Sequence, residues 1–153
     1  MPSNSTISIQ PGAQVDIDWC TNLMASTEPW LTLRPGPQAC EAVFHRAGCE
    51  LFLARQGGTN LGFILLQSSG LAGSPYVGAI AVTAEARGRG VGSQLLAFAE
   101  QHYSTARNIF LCVSEFNSRA IALYKRIGYE QAGLLKDYIV EGHDELIMRK
   151  RLK

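Results

Sequence analysis

What this chain lacks narrows its chemistry first. No apolar run approaches the eighteen or so residues that a membrane helix needs, and the opening Met1-Pro2-Ser3-Asn4-Ser5-Thr6 has neither the basic start nor the apolar stretch of a secretory leader. A cytoplasmic protein is expected. The four cysteines, Cys20, Cys40, Cys49 and Cys112, show no C-x-x-C spacing, so zinc and dithiol redox motifs are unsupported and no metal is expected. Neither sign of charge prevails: 14 Lys and Arg against 13 Asp and Glu leave a formal +1. Nucleic-acid and membrane partners both need a concentrated basic face, and neither is expected. The basic end, Arg149-Lys150-Arg151-Leu152-Lys153, reads as a solvated terminus.

What is present suits one core. A chain of 153 residues that is 46% hydrophobic can bury about two-thirds of its extended surface, so one domain spanning 1–153 is expected, as a monomer or a homodimer. Alternation predicts a first strand at 6–9, ended by Pro11-Gly12. Residues 14–26 turn helical, with Val15, Ile17, Trp19, Leu23 and Met24 near one face, until Glu28-Pro29-Trp30 breaks the pattern. A second helix is predicted over 37–47, with proline in its first turn and Gly48 after its last.

Apolar runs at 50–55 and 61–67 flank a glycine turn and predict an antiparallel hairpin. A third long strand is expected at 75–83, then a helix to about Ser104, a strand at 109–114 and a helix at 117–127 ended by Gly128. Two strands, 130–140 and 143–149, close the chain. The order predicts an α/β fold: a mixed, largely antiparallel sheet of six to seven strands with about four helices on both faces.

The most informative stretch joins the third long strand to its helix. Ala79-Ile80-Ala81-Val82-Thr83 leads through Arg87-Gly88-Arg89-Gly90-Val91-Gly92 into Ser93-Gln94-Leu95-Leu96. A helix start ordinarily carries a capping side chain and acids that complement its positive dipole end. Two arginines and three glycines stand here instead, which suits an anion held by main-chain N–H groups. A P-loop would need Lys-Ser or Lys-Thr after the last glycine, and Val91-Gly92-Ser93 has no lysine. A dinucleotide loop would need a third glycine or alanine where Ser93 sits and an acid about twenty residues on.

The remaining pattern, R-x-x-G-x-G with Arg87, Gly90 and Gly92 at its fixed places, resembles the GNAT superfamily of acyl-CoA-dependent N-acetyltransferases. The resemblance continues in Asn117-Ser118-Arg119-Ala120-Ile121-Ala122-Leu123-Tyr124-Lys125-Arg126-Ile127-Gly128-Tyr129, similar to that family's second signature. It implies a GNAT-like sheet and acetyl-CoA as cofactor. It further implies that Arg87, Gly88, Arg89, Gly90, Val91, Gly92 and Ser93 grip the coenzyme pyrophosphate, while main-chain groups of Ile80, Ala81 and Val82 pair with the pantetheine arm. Asn117 would bond that arm, and the Tyr124 hydroxyl would protonate the departing thiolate. Seven residues separate the two, so they project from one helix face.

Within the superfamily the ribosomal-protein alanine N-acetyltransferases are most similar, and they carry a glutamate twelve residues before the tyrosine. Cys112 stands there in this chain, between Leu111 and Val113, in surroundings expected to raise a thiol's pKa. A base must then come from elsewhere, with Glu28, Glu115, Asp137, Tyr138, His143 and Glu145 as candidates. Glu28, Trp30, Asp137 and Tyr138 are expected to line the acceptor pocket, since acids beside aromatic faces suit a cationic amine. The implied reaction is direct acetyl transfer to a primary amine, with a protein N-terminal amine as one acceptor. Two alternatives stay open: acetylation of a small free amine, amino acid or antibiotic, and an acyl-CoA-binding regulatory domain without turnover.

Overall fold

The computed structural model describes residues 6–153. Its sheet has seven strands: β1 (Ser8–Pro11), β2 (Cys49–Gln56), β3 (Thr59–Leu71), β4 (Ser74–Val82), β5 (Asn108–Ser114), β6 (Glu130–Leu135) and β7 (Glu145–Arg151). They lie in the order β1-β2-β3-β4-β5-β7-β6, every neighbouring pair antiparallel except β4 with β5. The helices are α1 (Gln14–Ala25), α2 (Trp30–Leu33), α3 (Pro37–Ala42), α4 (Val91–His102) and α5 (Ser118–Ile127), with 3-10 turns at Val43–His45 and Ala84–Ala86. No helix among the described residues is long and apolar enough to cross a membrane.

The period-two pattern of the strands sorts side chains into two cores. Phe52, Ile64, Leu66, Ile109, Leu111, Val113 and Met148 pack with Leu95, Leu96, Ala99 and Tyr124 of α4 and α5. On the opposite face Leu53, Phe63, Leu65, Ala79 and Ala81 pack with Ile17, Cys20, Met24, Cys40 and Phe44. In β4 the parity breaks. Val77 belongs to the first core and Ala79 to the second, two residues apart, because the register slips between them: Leu66 faces Val77 while Leu65 faces Ala79. The extra residue is Gly78, a β-bulge that re-aims everything beyond it.

Several boundaries differ from expectation. The first strand lies at Ser8–Pro11 rather than 6–9, since Pro11 can face Phe52 from an edge strand that has only one partner. The buried stripe of α1 is Ile17, Cys20 and Met24, whereas Val15 is 80% exposed. The break at Glu28-Pro29-Trp30 leads into an additional one-turn helix, α2. The helix expected over 37–47 is α-helical only to Ala42 and tightens into the 3-10 turn. The strand expected at 130–140 ends at Leu135, where Asp137 turns left-handed (φ 50°) and accepts from Gly142 N at 2.7 Å.

Candidate active site

The parallel junction decides where a ligand can sit. β4 and β5 pair only through Tyr76 with Phe110 and Val77 with Leu111, after which the bulge at Gly78 swings β4 away. The main-chain groups of 78–82 that point away from β3 therefore have no strand beside them. A cavity of about 1280 Å³ fills the opening and passes from one face of the sheet to the other. Its lining includes Ile80, Ala81 and Val82 from β4 and Leu111, Cys112 and Val113 from β5.

On the face of α4 and α5, the glycine loop borders the cavity. Gly88 and Gly90 have φ of 77° and 80°, a region where a Cβ is strained, and Gly90 forms the cap of α4 with no side chain hydrogen-bonded there. The first turn of α4 holds no acid. Arg87, Gly88, Gly90, Val91, Gly92 and Ser93 all line the cavity, bringing main-chain donors and a positive dipole end to it. Arg89 does not line it: its guanidinium donates to Oε1 of Gln56 at the end of β2.

From α5 come Asn117, Arg119, Leu123, Tyr124 and Arg126. Asn117 caps the helix, its Oδ1 accepting from Ala120 N at 3.4 Å, and also reaches the cavity. Tyr124 is buried at 7% exposure, its ring edge-on to Tyr129 at 6.0 Å, and no group among the described residues hydrogen-bonds its hydroxyl. Burial pushes its pKa above the usual phenol value. The sequence reading missed Arg119 and Arg126. They too stand seven apart on α5, a spacing that places both on one side.

The opposite face presents different groups. Even-numbered residues of β5 point away from the α4–α5 core, so Cys112 faces the α1–α3 side, as do Tyr76 before the bulge and Glu145 of β7. Tyr76 and Cys112 interact electrostatically on this face, and burial pushes the Cys112 thiol up, which keeps it protonated at neutral pH and unable to accept a proton. Glu145 is 6% exposed, pairs in register with Ser114 and accepts its Oγ–H. Burial raises its pKa most, the Ser114 bond lowers it, and the Glu115 charge raises it again.

The other candidate acids and aromatics separate. Trp30 and Tyr138 line the acceptor-side mouth with Leu33 and Ile139. Glu28 lines it as well, but its carboxylate accepts from Thr32 N at 2.9 Å and Thr32 Oγ1 at 2.6 Å, holding the turn of α2. Asp137, Glu115 and His143 lie outside the lining: Asp137 organises the loop between β6 and β7, and Glu115 Oε1 lies 3.3 Å from His143 Nδ1. No cluster of metal-ligating side chains occurs among the described residues.

Known proteins agree with this geometry. The model of the "Acetyltransferase (GNAT) family" matches residues 15–129. An uncharacterized N-acetyltransferase of Methanocaldococcus jannaschii is 34% identical over 103 residues, 65% of each chain, so the chain spans slightly under two-thirds of that relative's length. The N-alpha-acetyltransferase RimI of Mycobacterium tuberculosis is 29% identical over 154 residues, 94% of this chain and 92% of its own. The ribosomal-protein-S18-alanine N-acetyltransferase of Escherichia coli shares the fold, with a TM-score of 0.78 at 19% identity over 97% of this chain and 95% of that one. A split sheet, an uncapped glycine loop at its mouth and a family match over most of the chain lead to one assignment: this chain belongs to the GNAT acetyltransferase family.

Proposed function

We propose that this protein, acting as a single domain, transfers the acetyl group of acetyl-CoA to a primary amine by direct attack. The observation that carries the reading is the charge layout of the opening between β4 and β5. Arg87, Arg119, Arg126 and the bare start of α4 border one side, and the buried Glu145 the other. A polyanionic donor belongs against the first and a cationic acceptor against the second.

In this reading the main chain from Arg87 to Gly92, with Ser93, holds the pyrophosphate, and Arg89 contributes through its backbone. The pantetheine arm lies along Ile80, Ala81 and Val82, completing on that edge the pairing that β5 has left, with Asn117 beside it. The thioester carbonyl then sits near the bulged stretch of β4, where main-chain N–H groups stabilise the developing oxyanion. Tyr124 gives its proton to the leaving thiolate. Burial raises the Tyr124 pKa, so the phenol is protonated in the resting site and its proton is on hand when the thiolate leaves; because a phenol is a weaker acid than a thiol, the transfer is completed as the phenolate recovers a proton from the acceptor nitrogen.

The acceptor of choice is an α-amine. Its pKa near 8 leaves a useful neutral fraction at pH 7, whereas a lysine amine near 10.4 is almost wholly charged. The names of the Mycobacterium and Escherichia relatives support the same choice. Trp30 and Tyr138 flank the acceptor mouth in a position to cover the first residues of a peptide. The test is release of free thiol from acetyl-CoA with an alanine-initiated peptide, an N-blocked lysine peptide and simple polyamines. Faster reaction of the first is expected; preference for the lysine side chain would overturn the α-amine assignment. Cys112, at the position where the resemblance to the alanine N-acetyltransferases implies a glutamate, favours a second reading, an acyl-CoA sensor, for which coenzyme binds and no amine releases thiol.

A further inference from the structure

Cys112 cannot act as the base of the proposed reaction, because burial pushes its thiol to higher pKa and so keeps it protonated at neutral pH. The carboxylate that this position lacks is nevertheless present one strand away. Ser114 lies two residues beyond Cys112 on the same face of β5, and Glu145 stands directly opposite Ser114 on β7. Glu145 is thus the diagonal neighbour of Cys112 on the side that receives the acceptor, and it borders the same cavity.

Its two oxygens have different surroundings. Oε2 accepts from the buried Ser114 hydroxyl, which fixes the carboxyl's orientation. Oε1 has no hydrogen-bond partner among the described residues and is not among their sealed, unsatisfied atoms, so it opens on the cavity. Elsewhere a buried carboxylate in a fold is paired with a cation; here no Lys, Arg or His forms an ion pair with it among the described residues. Its titratable neighbours are Tyr76 on β4, Cys112 on β5 and Glu115 just after β5, with Arg46 beyond Tyr76 and His143 engaged by Glu115. All those nearest to it are neutral or negative.

Resting on the acetyltransferase reading, we infer that Glu145 is the general base of this enzyme, its open Oε1 removing a proton from the acceptor ammonium directly or across one water. The N–H bond breaks and an O–H bond forms on Glu145, which later gives that proton to solvent. The neutral nitrogen attacks the carbonyl carbon, forming C–N as C–S breaks. The proton of Tyr124 goes to sulfur, and the second ammonium proton, lost as the intermediate collapses, restores the phenol. The net products are the amide, free coenzyme thiol and one released proton. Burial and the Glu115 charge raise this carboxyl above its ordinary pKa, which makes its carboxylate the stronger proton acceptor.

The experiment compares wild type with Glu145→Gln, in which the amide can still accept from Ser114, using the alanine-initiated peptide. At pH 7, kcat should fall about 100-fold or more while the acetyl-CoA Kd stays within twofold. The defect should shrink as pH rises above the amine's pKa, and with an acceptor whose amine is already neutral at pH 7. A merely structural residue would show neither recovery. Equal kcat and equal pH profile in Glu145→Gln would overturn the inference alone; a wild type that binds acetyl-CoA and never releases thiol would overturn the acetyltransferase reading and this inference with it. Should Glu145→Gln fail to bind acetyl-CoA, Ser114→Ala decides. Loss of the bond that lowers the Glu145 pKa should move the acid limb of the kcat/KM profile to higher pH, and an unmoved limb would overturn the assignment.

Discussion

The two sides of the opening between β4 and β5 are built in different ways. On the side proposed for the donor, residues 78–82 after the bulge and the first turn of α4 after Gly90 offer main chain to the cavity, beside the side chains of Arg87 and α5. The main-chain part comes from one continuous stretch of about fifteen residues. On the acceptor side the groups are side chains gathered from distant places, Trp30 from α2, Tyr76 from β4, Cys112 from β5, Tyr138 from a loop and Glu145 from β7. A main-chain site depends on local conformation, which glycine spacing announces; a side-chain site depends on which strands become neighbours. The first kind of site is therefore legible in local sequence, and the second only in the assembled sheet.

The largest expected effect tests the buried hydroxyl that α5 brings to the cavity. Tyr124→Phe removes the hydroxyl but keeps the ring edge-on to Tyr129, so folding should be unaffected. Turnover should fall by about 10²–10⁴-fold if this group is the acid, with acetyl-CoA affinity nearly intact. Parallel measurement of kcat and coenzyme Kd checks it, and unchanged kcat would move the acid elsewhere.

Next in size comes a contrast within the glycine loop. Arg87→Ala should weaken acetyl-CoA binding by about 1.5–3 kcal/mol, roughly ten- to hundredfold, as expected for loss of a charge-assisted hydrogen bond. Arg89→Ala should cost far less, because its guanidinium is occupied by Gln56 outside the lining. Isothermal titration of both variants separates them; equal losses would mean that Arg89 swings in to meet the coenzyme.

The same contrast explains what the amino-acid order disclosed. The strand, loop and helix from Ala79 to Leu96 were legible because glycine at fixed spacing, the absence of a cap and a β-branched run each act locally, and the structure places all three where expected. The seven-residue interval between Asn117 and Tyr124 carried over for the same reason: helix geometry alone sets it. Glu145 was one of six candidate bases with nothing to distinguish it. Its burial arises from the pairing of β5 with β7, strands separated in the chain by all of α5 and β6, and no local pattern encodes that register. Arg89 stands outside the cavity lining for a similarly non-local reason, since its partner Gln56 lies 33 residues back. The bulge at Gly78 was likewise hidden, because a lone glycine in an apolar run is equally compatible with regular strand.

A smaller effect isolates the conformational part of the donor side. A Cβ at Gly90 would meet nothing within 4 Å, so Gly90→Ala has no steric clash to confuse the outcome. Only its φ of 80° is strained, at about 1–2 kcal/mol. That cost should appear as a lower Tm of the free protein, or as weaker acetyl-CoA binding where the loop relaxes to escape it. Thermal melts with and without acetyl-CoA distinguish the two. A variant equal to wild type in both would show that the loop's left-handed turn is dispensable.

The smallest expected effect asks whether position at the acceptor mouth is enough to make an acid functional. Glu28 and Glu145 both border the cavity, but both Glu28 oxygens are already engaged by Thr32, on an exposed turn. Hydrogen bonds there contribute little, because water replaces them readily. Glu28→Gln, which retains an acceptor for Thr32 while removing the charge, should change the KM for the alanine-initiated peptide by less than twofold and leave kcat and its pH profile alone. A rise in KM of tenfold or more would show that Glu28 releases Thr32 to hold the incoming ammonium. The side proposed for the acceptor would then rest on two carboxylates, one binding and one removing a proton, each brought to the cavity by a different element.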